Sequence, residues 1–171
     1  YNASDLEIVP DSVEYSVAAS RLVTDQSYTI VIDGQNWPPR YAPWFSMLVI
    51  APAYLVFGNE PGNAVFPILF ASLLGIVTAF FIGYQVNGLI CGVFASLSLL
   101  ILPLYRFLSK QVMTDVPCIS LLLLACFLYM RLKTVSSHSR GPYLLAGILC
   151  GLCAAFRPVC ASVILPFLWF I

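Results

Sequence analysis

A series of long apolar runs with the charges pushed to their ends constrains this chain more than any other feature. The runs are Tyr41–Phe57, Ala64–Gly83, Gly88–Leu104, Val116–Leu132 and Tyr143–Phe156, and beyond Arg157-Pro158 a further one reaches Ile171. A helix needs about 20 mainly apolar residues to cross the ~30 Å of hydrocarbon in a bilayer. Only 9% of the residues are charged, 60% are hydrophobic, and mean hydropathy is +0.91. A soluble domain carries roughly 25% charged residues. The pattern predicts an integral membrane protein of the all-α class, a polytopic bundle of transmembrane helices. Net charge is zero, which gives no argument for a nucleic-acid partner.

One acid breaks the rule. Asp115 lies between two apolar runs, in Lys110-Gln111-Val112-Met113-Thr114-Asp115-Val116-Pro117. A carboxylate near hydrocarbon costs about 2.5–3.5 kcal/mol on insertion scales, so it persists where it has a role. Almost all other acids fall within the first 33 residues. The question is whether that acidic front end and Asp115 face one compartment.

Residues 1–40 form a polar, acidic, aqueous segment. Pro10-Asp11-Ser12-Val13-Glu14 has the spacing of a capping box, with Asp11 as N-cap and Glu14 as its partner. The helix it opens is predicted to run to about Val23, with Tyr15, Ala18 and Leu22 as an apolar stripe. Asp33-Gly34-Gln35-Asn36 reads as a turn, and Trp37-Pro38-Pro39-Arg40-Tyr41 as an extended entry to the membrane. Tyr41–Phe57 is short for a span, holds Pro43 and Pro52, and is rich in aromatics. It reads best as an interfacial segment. Spans are expected at about 64–83, 88–105, 116–132, 143–156 and 158–171. The chain starts at Tyr1 rather than Met and ends inside an apolar run, and we read it as part of a longer membrane domain.

Orientation follows from the loop Arg131, Lys133, His138, Arg140, which is basic without acids and is expected on the cytoplasmic side. Asp115 and Arg157 then arrive at the outer face. A spanning 41–57 would put residues 1–40 inside; an interfacial one puts them outside with Asp115. Arg106 and Lys110 also fall outside, where they snorkel or bind an anionic ligand. On the interfacial reading Asp11, Glu14, Arg40, Asp115 and Arg157 converge on one membrane face. Carboxylates there suit general-base work or a divalent metal. Arginines suit a phosphate group. Together they point to a phosphorylated lipid as substrate.

Simpler roles compete. Asp11 and Asp115 each sit where a helix cap is expected, and Arg40 and Arg157 where interfacial anchors are. Glu60 and His138 read as loop residues. The six cysteines lie in apolar segments, and Cys150-Gly-Leu-Cys153 has CxxC spacing without a second pair, so they read as small apolar residues. Gly88-xxx-Gly92 and Gly147-xxx-Gly151 fit helix contacts. Asn2-Ala3-Ser4 fits a glycosylation sequon.

Four segments in this order resemble the GT-C superfamily of polytopic glycosyltransferases that use polyprenyl-phosphate sugars, nearest to its protein-mannosyltransferase-like and RgtA/B/C/D-like group. They are Pro10-Asp11-Ser12-Val13-Glu14-Tyr15, Pro38-Pro39-Arg40-Tyr41-Ala42-Pro43-Trp44-Phe45, Thr114-Asp115-Val116-Pro117, and Gly147 through Arg157-Pro158. The resemblance implies that Asp11 is the catalytic base. It implies that Asp115, with Glu14, shapes the acceptor or metal site, and that Arg40 and Arg157 contact the donor phosphate. In many members an Asp-Glu pair stands in the first loop; here Ser12 follows Asp11 and the glutamate is at position 14. The cofactor is left open, a divalent cation being the candidate. Expected partners are the polyprenyl-phosphate sugar, a lipid, glycan or protein acceptor, and membrane lipid. The expected location is a bacterial inner membrane rather than that of the endoplasmic reticulum. A transporter or flippase of lipid-linked substrates is the rival reading, but it would need ionisable groups at the midplane and an internal repeat, and neither is visible. A non-catalytic scaffold would leave the acids and arginines of one face unexplained.

Overall fold

A computed structural model describes residues 10–134 and 141–161. The fold is nearly all-α. Helix α1 spans Pro10–Thr24 and a two-stranded hairpin follows, β1 (Ile30–Ile32) against β2 (Gln35–Trp37). A π-helical turn, Ser46–Ile50, feeds α2, Ala51–Phe57. A 3₁₀ turn at Pro61–Ala64 leads into α3, Val65–Ile101; α4 (Pro103–Leu108), α5 (Asp115–Thr134) and α6 (Gly141–Phe156) complete the bundle. A second 3₁₀ turn occupies Pro158–Cys160.

The hairpin corrects a reading that gave residues 33–36 to a turn alone. Its reversal is only Asp33-Gly34, with φ of +52° and +76°, the left-handed pair of a type I′ turn. Gln35 and Asn36 pair back onto Ile32 and Val31.

Helix α3 is not one rod. Asn87 (φ −153°) and Gly88 (φ +74°) are non-helical, and the helix folds back there. A left-handed φ is one glycine adopts without steric penalty. The arms touch at Gly83, where an added Cβ would lie 2.6 Å from the Cys91 carbonyl oxygen. So Gly88 is the turn itself and not a helix contact. Gly92 is a contact, against Phe80, whereas Gly147 and Gly151 have open space where a Cβ would stand. Among the described residues those two make no small-residue contact. By length and composition the segment Pro61–Ile101 is apolar enough to cross a membrane. Its first arm, residues 65–86, measures about 33 Å at 1.5 Å per residue. Phe70, Ile90 and Phe94 on its arms are each about 70% exposed in the isolated chain, as side chains facing lipid would be.

The span expected at 88–105 ends earlier. Leu102 is extended (ψ 113°) because Pro103 crowds it out of the helical region. Chain direction restarts in α4, which buries Tyr105. Helix α5 packs between α3 and α6. The core sits at one end of this bundle, where Tyr15 and Ala19 of α1 meet Phe45, Ile50, Tyr54, Ala64, Ile68, Tyr105, Val112 and Val116. Helix α1 therefore lies across the end of the bundle that carries the 109–114 loop and the start of α5. The opposite end holds the Asn87–Gly88 turn. Asn2-Ala3-Ser4, His138, Arg140 and most of the run 158–171 lie outside the described residues, and of Lys133 only the backbone is described.

Candidate functional site

Helix α1 begins at Pro10, whose fixed φ and missing N–H suit a first helical position. That places Asp11 inside the first turn rather than at the cap. The capping box does not form: Glu14 turns away from its own helix end to Arg40. Its Oε1 accepts the Arg40 backbone N–H, and its Oε2 accepts Arg40 Nε–H at 2.7 Å. The paired prolines 38 and 39 deliver Arg40 in an extended segment, with its N–H free for this contact. The Glu14 side chain is only 7% exposed, while that of Arg40 is 64% exposed. Arg40 also reaches Asp11, Nη2 to Oδ1 at 3.3 Å, and lies over the Tyr41 ring, 5.5 Å from its centroid. Contact with Glu14 pushes the guanidinium above its ordinary basicity, so it stays charged. The Asp11 carboxylate beside it holds the Tyr41 phenol above its usual range.

A second pair forms from the other half of the chain. Thr114 precedes α5, and its carbonyl accepts the Cys118 N–H, so Asp115 is the first helical residue and not the cap. Its position in the first turn suits the positive helix end. Across from it, α6 ends at Phe156 because Pro158 drives Arg157 extended (φ −146°). Arg157 Nη1 donates to Asp115 Oδ1.

Aromatic rings join the two pairs. Tyr15 stacks on Tyr41 with centroids 4.8 Å apart and meets Phe45 edge-on at 5.1 Å; Phe45 meets Phe156 edge-on at 5.5 Å. Phe156 adjoins Arg157. Burial raises the Tyr15 phenol far above its usual range. Ser46 Oγ–H donates to the Tyr15 carbonyl at 3.2 Å and ties the π-helical turn to α1. The structure thus gathers Asp11, Glu14 and Arg40 into one cluster and Asp115 with Arg157 into another, at the same end of the bundle.

The comparison with protein families decides the affiliation. A family model described as dolichyl-phosphate-mannose-protein mannosyltransferase matches residues 39–171. The chain belongs to that family. Comparison with curated proteins and with solved structures finds no match. The mannosyltransferase family is membrane-integral and of GT-C type, and membership implies glycosyltransferase activity with a lipid-linked sugar donor and an acceptor. The match contains Arg40, Asp115 and Arg157, whereas Asp11 and Glu14 precede it. What ties those two acids to the mannosyltransferase-like region is their contact with Arg40.

Both Glu14 oxygens are taken by Arg40, and among the described residues no three His, Cys, Asp or Glu side chains come together. The sequence reading missed the positioning groups: Tyr15 was visible only as part of an apolar stripe, and Thr114 only as a neighbour of Asp115. The aromatic density of residues 41–57 was the available signal for the ring stack.

Proposed function

We propose that this protein transfers a sugar from a polyprenyl-phosphate donor to a lipid, glycan or protein acceptor, with inversion, at the extracytoplasmic face of a membrane it crosses several times. Asp11 is the general base. It takes the proton of the acceptor hydroxyl as that oxygen attacks the anomeric carbon. The bond from that carbon to the phosphate oxygen breaks, and the lipid phosphate leaves. The exposed N–H edges of Arg40 and Arg157 stabilise the charge that develops on it. Glu14 positions Arg40, and Asp115 positions Arg157. Arg40 holds the Asp11 carboxylate in one orientation. The sugar is a hexose or pentose of a cell-envelope glycan, and a bacterial inner membrane is the setting.

One observation carries this reading. Two acid–arginine pairs, from segments far apart in the chain, meet the same aromatic stack at one end of an apolar bundle. Charges at that end serve chemistry on a lipid-borne phosphate better than passage through the bilayer, which needs them at the midplane. The test is a transfer assay on the full-length protein in detergent with a panel of polyprenyl-phosphate sugars. The expected result is consumption of one donor with release of polyprenyl phosphate. Turnover only with nucleotide sugars would overturn the proposal.

A further inference from the structure

Helices α5 and α6 meet in a pair of thiols. Cys118 and Cys153 stand 35 residues apart in the chain and are 2% and 0% exposed. Cys118 Sγ–H donates to the Cys153 carbonyl at 3.8 Å, and Cys153 Sγ–H donates to the Cys118 carbonyl at 3.5 Å. Each sulfur thus reaches the other residue's backbone, so the two helices approach closely at this point. A thiol is a weak donor, and both contacts are long, so as free thiols the pair ties the seam only loosely. A disulfide needs Cβ atoms about 3.8 Å apart, a separation within reach of two side chains that already touch each other's backbone. The place of the pair matters as much as its geometry. Asp115 stands three residues before Cys118 and Arg157 four after Cys153, spacings that share one helix face. The Cys153 carbonyl also accepts the Arg157 N–H at 2.9 Å. The thiols therefore lie one helical turn, about 5.4 Å, beneath the Asp115–Arg157 pair.

We propose that Cys118 and Cys153 form a disulfide that staples α5 to α6 beneath the ion pair. The bond rests on the outward orientation of the proposed function, since an extracytoplasmic compartment is oxidising whereas cytosolic thiols are kept reduced. It does not rest on the role of Asp11. One cysteine thiolate attacks a disulfide-bearing oxidant, forms a mixed disulfide and releases one thiol of the oxidant. The second thiolate attacks the protein sulfur of that mixed disulfide and releases the other. The two protein sulfurs lose two electrons, which the oxidant takes up with the two thiol protons. Both thiols are buried once α6 packs on α5, so the exchange accompanies assembly of the two helices. The test is thiol mapping of the full-length protein, taken from membranes into denaturant with N-ethylmaleimide, digested, and read by mass spectrometry with and without reduction. A linked peptide joining 118 and 153 is expected, and reduction splits it. Cys118→Ser leaves Cys153 alkylated, and Cys150→Ser leaves the linked peptide unchanged. A bond from Cys153 to Cys150 would overturn the pairing. Free thiols that close only when the folded protein is treated with diamide would overturn the native bond and put the fault in the outward orientation. Free thiols that stay open even in diamide would overturn the geometry itself.

Discussion

Replacing Arg40 by Gln tests whether Glu14 and Arg40 act as one unit. The Glu14 carboxylate is 7% exposed and receives two donors from the same residue, the backbone N–H and Nε–H at 2.7 Å. Arg40→Gln keeps the first and removes the second, along with the 3.3 Å contact to Asp11. A charged hydrogen bond contributes about 1.5–3 kcal/mol. Arg40 is 64% exposed, so water screens and partly replaces the contact. The net loss is expected at about 1–2 kcal/mol. Glu14→Gln in the same background removes the stranded charge and restores part of it. The four proteins make a double-mutant cycle, read by thermal unfolding of the full-length protein in detergent. The coupling expected is about 1–2 kcal/mol. Additive effects, within about 0.3–0.5 kcal/mol as for independent sites, would refute the pairing.

Gly75→Ala should destabilise by about 1–3 kcal/mol through overpacking, since its Cβ would meet Ser120 Oγ at 2.5 Å and Tyr105 Oη at 2.6 Å. The companion change Ser120→Ala with Tyr105→Phe should recover much of the loss in the same unfolding measurement. Tyr15 and Tyr41 are held above the ordinary phenol value, Tyr15 mainly by burial and Tyr41 by the Asp11 carboxylate beside it. A raised folded-state value contributes stability that is complete below about pH 10 and is lost as pH climbs beyond it. Melting temperature is therefore expected to fall above pH 10, less steeply in Tyr41→Phe; identical alkaline limbs in both proteins would contradict the influence of Asp11 on Tyr41.

The bundle was readable because its causes are local. Apolar runs mark helices, and Pro158 marks a break one residue upstream, at Arg157; the break that Pro103 makes at Leu102 fell inside a run read straight through to 105. Gly88 was read as a packing residue because spacing alone cannot separate a glycine that turns the chain from one that packs a helix. The hairpin was missed because three-residue strands carry almost no periodicity. The five candidate site residues were all picked from charge placement. Their pairing was not, because Glu14 to Arg40 and Asp115 to Arg157 are tertiary contacts that no local spacing encodes. The capping reading of Glu14 failed for that reason: a guanidinium from residue 40 outcompetes the helix end.

The central claim is that Asp11 takes the acceptor proton, and one comparison reaches it directly. Asp11→Asn and wild-type full-length protein are purified in the same detergent and matched for melting temperature. Initial rates of sugar transfer are then measured with the donor that supports wild-type turnover. Loss of a positioned general base lowers the rate by about 10²–10⁴-fold, with Arg40 still held by Glu14 and the fold intact. Transfer by the variant within a fewfold of wild type would contradict the account.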